Sequence, residues 1–115
     1  MSYDLRVAVK VEGCDIYANI AEPEYPSPTY NLGAMFRACM NWDFKQGEYY
    51  RCDEVIPKIE HGIKELIGNR GEYEKYNPAN GWGSISSAVD DLESLRKCIY
   101  EQAEEIPLEC LYMRW

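Results

Sequence analysis

What this sequence lacks narrows it first. No apolar run approaches the ~20 residues needed to cross a bilayer. The opening Met1-Ser2-Tyr3-Asp4 has neither the basic nor the apolar region of a secretory leader. Positive charge is scarce: twelve Lys+Arg stand against twenty Asp+Glu, a net charge of −8. Such a surface repels phosphate backbones and anionic lipid, so direct nucleic-acid binding and membrane attachment are not expected. No Gly-x-Ser-x-Gly, P-loop or G-x-G-x-x-G pattern occurs, and Gly81-Trp82-Gly83 lacks both a preceding strand and a third glycine. Histidine occurs once, as His61, with no partner at helical spacing for acid–base work or metal binding. An enzyme is therefore not expected, and no cofactor or metal is implied.

Cysteine is present but unpatterned. Cys14, Cys39, Cys52, Cys98 and Cys110 are odd in number and widely spaced, and none forms a C-x-x-C pair. Neither a disulfide framework nor a zinc knuckle is signalled, so five free thiols in a reducing cytosol are expected. The apolar fraction of 46% and charged fraction of 28% exclude disordered and low-complexity classes. With 115 residues, one domain accounts for the chain. The acid is spread evenly, each half carrying −4. Its longest local patch is Glu101, Glu104, Glu105 and Glu109, which reads as a solvated face or as a surface that imitates nucleic acid or docks a basic partner.

Residues 3–11 alternate, with Tyr3, Leu5, Val7, Val9 and Val11 on one side. Gly13 follows, and Cys14, Ile16, Ala18 and Ile20 alternate again, which predicts an antiparallel hairpin. Pro23, Pro26 and Pro28 end the second strand and predict an extended, exposed segment. Leu32, Met35, Phe36, Cys39 and Met40 recur at helical spacing, with Thr29 or Asn31 placed to cap. A second helix opens near Asp53, with Val55, Ile56, Ile59, Ile63, Leu66 and Ile67 on one stripe and Pro57 expected in its first turn. Gly68-Asn69, residues that accept a left-handed conformation, are expected to end it. One more turn is predicted over 72–76. Ser84 then caps a third helix, with Ile85, Val89, Leu92, Leu95, Ile99 and Ala103 buried and Asp90 and Asp91 as first-turn charges. Pro107 stops it, and residues 108–115 have β character. The expected fold is α+β in the order ββαααβ, a small antiparallel sheet packed against about three helices.

Two segments combine small polar groups with an aromatic ring at a helix N-terminus: Ser27-Pro-Thr-Tyr-Asn-Leu and Asn80-Gly-Trp-Gly-Ser. On an architectural reading Thr29 and Ser84 cap, Asn31 and Asn80 satisfy loop backbone, and Trp82 plugs the core. On a functional reading Tyr30, Asn31, Asn80 and Trp82 hold a nucleotide-like ligand at the helix ends. Arg37, Arg51, Arg70 and Lys75 would then supply positive charge.

The opening Met1-Ser-Tyr-Asp, the Pro28-Thr-Tyr-Asn-Leu segment and the Asn77-Pro…Asn80-Gly-Trp-Gly segment resemble a group of small phage and prophage proteins. The resemblance spans residues 1 to about 100 and carries over no catalytic residue. It implies a virus-encoded protein acting in the bacterial host cytoplasm. Small acidic proteins of that setting often antagonise host defence, so the expected function is a non-enzymatic, anti-CRISPR-like inhibitor that binds a host defence effector. The alternatives are a protein that sequesters a nucleotide signal and a structural or housekeeping phage product.

Overall fold

The computed structural model describes every residue except Trp82. Four antiparallel strands form one sheet: β1 (Arg6–Lys10), β2 (Tyr17–Ala21), β3 (Tyr49–Arg51) and β4 (Leu111–Arg114). Their order is β2-β1-β4-β3. Four helices accompany the sheet: α1 (Gly33–Met40), α2 (Cys52–Gly68), the short α3 (Arg70–Tyr73) and α4 (Ile85–Ala103). The α+β architecture is the expected one, with β3 and α3 added to the predicted order.

Strand alternation sorts the sheet into two faces. Val7, Leu111 and Met113 turn toward the helices and are fully buried. Arg6, Lys10, Tyr17, Tyr112 and Arg114 occupy the face that no helix covers. Between the layers, Met35, Phe36, Cys39 and Met40 of α1 meet Val55, Ile59, Ile63 and Leu66 of α2 and Leu92, Leu95 and Ile99 of α4. Gly62 lets α2 approach α1 closely, since a Cβ there would lie 2.7 Å from the Met40 side chain. Trp115 follows β4 into this core. It is 2% exposed, packs against Tyr3, Phe36 and Phe44, and donates its amide to the Glu48 carbonyl at 3.0 Å.

Local chemistry fixes the helix ends. Thr29 Oγ1 accepts from the Asn31 amide at 3.3 Å, starting the turn of 3₁₀ helix over Tyr30–Leu32 that leads into α1. Ser84 and Ser87 form a reciprocal capping box at the start of α4.

Several expectations are corrected. The proline segment is not simply exposed: Pro23 and Pro28 are buried, and the Tyr3 and Leu5 amides donate to the Pro28 and Pro26 carbonyls, each at 2.8 Å. Residues 1–5 thus use this segment as a partner in place of a ladder strand. Residues Leu108–Cys110 are a 3₁₀ turn, and the strand begins at Leu111. Cys52 opens α2, so Pro57 is its sixth residue and lies past the first turn, where its missing donor leaves the Asp53 carbonyl without its helical bond. α2 does end at Gly68-Asn69, but Asn69 has φ −124° and does not use the left-handed conformation open to it, because the chain turns straight into α3. Ile67 is 61% exposed, near the C-terminal end of the helix and off its buried side. Asp90 and Asp91 lie beyond the first turn of α4, and Asp91 is buried at 8% exposure. On β2 the apolar alternation faces water: Ile16 is 61% and Ile20 40% exposed.

Candidate functional site

The structure brings the two polar helix starts together. Residues 1–3 run antiparallel along 28–30: Ser2 bridges Thr29, and the Tyr30 amide donates to the Met1 carbonyl at 3.3 Å. From the other side Gly83, at φ 113°, lets its segment press onto the start of α1. A Cβ there would lie 2.9 Å from the Leu32 side chain and 3.2 Å from Thr29 Cγ2. The result is an open cleft of about 500 Å³ lined by Met1, Ser2, Ser27, Thr29, Asn31 and Asn80.

Of the residues expected to form a site, Asn31 and Asn80 share this cleft. Tyr30 does not line it. Its ring packs edge-on against Tyr3, centroids 4.8 Å apart, and its hydroxyl is hydrogen-bonded to the Gln46 side chain. Trp82 lies outside the described residues. The four expected cations are dispersed. Arg37 sits beside the Tyr3 hydroxyl, Arg51 pairs with Asp53 at 2.5 Å, Arg70 bonds Ser86 at 3.3 Å and Lys75 lies 5.3 Å from the Tyr76 ring centre. None of these cations borders the cleft, whose lining is hydroxyl, amide and thioether. His61 stays near the surface and, contrary to the expectation, does have a partner at helical spacing: its Nε2 lies 3.9 Å from Glu65, one turn further along α2. Among the described residues no three His, Cys, Asp or Glu side chains are grouped to hold a metal.

The acidic patch is divided by the fold. Glu101, Glu104 and Glu105 are exposed at the C-terminal end of α4, whereas Glu109 borders a separate cleft with Cys14 and Cys110. The sequence did not reveal what α4 is placed beside. Residues 22–25 run along it as a strap, tied down by the Tyr25 amide donating to Ser94 Oγ at 3.4 Å, while Ser94 donates to the Asp91 carbonyl. Strap and helix together form one face, furrowed by three shallow clefts that all include Lys97. Its two cations are both engaged, Arg96 with Glu60 at 3.8 Å and Lys97 with Glu101 at 4.0 Å. Glu24, Asp90, Glu93, Glu104 and Glu105 have no cation within ion-pair distance among the described residues. Tyr25 and Tyr100 rise from this carboxylate field, 47% and 45% exposed. The signal for Tyr100 was its position off the Leu95/Ile99 stripe; nothing local marked Tyr25, which the strap delivers from a distant part of the chain.

Comparison with known proteins finds no matching family model, no matching curated protein and no matching solved structure.

Proposed function

We propose that this protein acts by binding, without turnover, and that the strap–α4 face is the surface it presents to a basic partner protein. The observation that carries the reading is the pair of half-exposed tyrosines, Tyr25 and Tyr100, set among five uncompensated carboxylates on a helix anchored by eight buried residues. Tyrosine supplies contact area at low entropic cost, and uncompensated charge steers the encounter. A helix presents both more rigidly than a loop would. The resemblance to phage and prophage proteins supplies the setting, antagonism of a bacterial defence effector such as a CRISPR complex.

The test is plaque formation by a sensitive phage on strains that each carry one defined defence system, with and without this protein. Rescue on one strain identifies the target, and failure on all of them removes the antagonist reading. With a target identified, Glu93→Lys/Glu104→Lys is expected to slow association and Tyr100→Ala to speed dissociation. Rescue and binding indifferent to both changes would place the contact on another face.

A further inference from the structure

We propose that a second copy of this chain pairs with the free edge of β2, joining the two sheets into one of eight strands about a two-fold axis that passes between the Ala18 residues of the two copies. β2 is an end strand, hydrogen-bonded to β1 on one side and to no described strand on the other. Edge strands are usually guarded by charge or proline. Tyr-Ala-Asn-Ile-Ala of β2 contains neither, whereas the opposite edge, β3, is three residues long and carries Arg51. Among the described residues no helix covers β2: Ala18, Asn19 and Ile20 are exposed, and Ile16 and Val11 beside them are 61% and 42% exposed.

The hydrogen-bond phase selects the register. The Val11 amide donates to the Ile16 carbonyl at 2.7 Å, and Ala18 is paired with Val9. Peptide groups alternate in direction along a strand, so Ile16 and Ala18 are directed to β1 while Tyr17 and Asn19 turn theirs outward. Antiparallel self-pairing about Ala18 then joins Tyr17 to Asn19 of the second copy through the ladder. It sets Ile16 against the second copy's Ile20, and Ala18 against Ala18 as a close, non-hydrogen-bonded pair. Ile20 is the residue that β1 leaves unmatched, since Ala8 pairs with Asn19 and Val7 with Ala21.

Charge also fits a second copy. A chain of net charge −8 repels itself over most of its surface. In this register Asp15 faces Ala21 and Glu22 faces Cys14, so no like charges are opposed across the seam. A two-fold axis perpendicular to the sheet keeps Ile16, Ala18 and Ile20 of both copies on one face, where they cover each other.

The test is sedimentation equilibrium of the full chain in a Cys14→Ser/Cys110→Ser background, which removes the exposed thiols. The mass is expected to rise from 13.4 kDa toward twice that value with concentration. Ala18→Lys, which opposes two ammonium groups on the axis, is expected to remain monomeric at every concentration with an unchanged far-UV spectrum. Ile16→Lys does the same from a position outside β2, in case the first change disturbs folding. Ala18→Cys in the same background is expected to form an intermolecular disulfide under mild oxidation by glutathione disulfide, because Cα atoms of such a pair lie about 4.5 Å apart. A wild-type chain that stays monomeric to millimolar concentration would overturn the proposal. So would a dimer that survives both lysine substitutions, or an Ala18→Cys variant that fails to cross-link.

Discussion

Tyr17 and Tyr49 stand on opposite edge strands of the sheet, yet their rings stack face to face, centroids 4.1 Å apart and planes 4° from parallel. In a flat sheet strands three places apart are separated by about 14 Å, so the two side chains lean toward each other across the open face to make this contact. The Tyr49 hydroxyl reaches further, donating to Asn19 Oδ1 on β2 at 3.0 Å, and Tyr112 packs edge-on against Tyr17. Beneath them Ala8 is fully buried although no helix lies on its side of the sheet. The tyrosines form a half-buried aromatic cluster over it.

That stack is measurable as a coupling. Tyr17→Ala and Tyr49→Ala, combined in a double-mutant cycle of urea denaturations, are expected to show an interaction energy of about 1 kcal/mol, typical of an aromatic pair. Strictly additive losses would show that the rings are near each other without supporting each other.

Asp91 makes stability depend on pH. Burial, reinforced by the neighbouring Asp90 charge, pushes its carboxyl from 3.8 up to about 7. Between those values the folded protein holds a proton that the unfolded chain has released. This contribution is therefore fully present below about pH 4, declines as pH rises, and is lost above about 7. Asp91→Asn is expected to raise stability at pH 8 by on the order of 1–3 kcal/mol and to change it little at pH 4. Urea midpoints of both proteins at the two pH values decide it; equal gains at both would rule out titration as the cause.

Gly62→Ala sets helix propensity against packing. Alanine favours a helix by up to ~1 kcal/mol, but its methyl would meet Met40 at 2.7 Å, Cys39 at 3.2 Å and Leu92 at 3.3 Å. Overpacking of this kind costs about 1–3 kcal/mol, so a net fall in melting temperature of several degrees is expected. Gly68, with nothing within 4 Å of its added methyl, is the control. Gly68→Ala should melt at or above the wild-type temperature.

The thiols should divide two against three. Cys14 and Cys110 are exposed, while burial pushes Cys39 and Cys52 up to about 12 and Cys98 to about 11. Ellman's reagent reacts with thiolate, so two rapid equivalents in the native state and five after unfolding are expected. A third fast thiol would mean that one of the buried sites opens readily.

Periodicity revealed the parts whose neighbours lie along the chain. The hairpin, the stripe Val55–Leu66 and the Ser84 cap are local patterns, and the structure contains all three. β3 was not legible, because Tyr-Tyr-Arg is too short for alternation to register and becomes a strand only by pairing with β4. The exposure of Ile16 and Ile20 was equally hidden. Alternation shows that β2 has an apolar side, and only the placement of the helices shows that nothing covers it. Of the residues singled out as a site, Asn31 and Asn80 line one cleft, but Tyr30 turns to Tyr3 and Gln46 through contacts made by residues far away in sequence. Asp91 looked like an ordinary helix charge until the fold buried it.

The two middle strands of the sheet, β1 and β4, come from near opposite ends of the sequence. On a ribosome, β1 therefore emerges early and can zip only to β2, leaving its other edge open until residues 111–114 are released. All the helices are synthesised in that interval. Pairing β1 with β4 must close that long loop, which favours slow folding and a late completion step for this one seam of the sheet. A stalled or prematurely ended chain would display the vacant side of β1 as a sticky template, so the vulnerable period of this protein is its own translation.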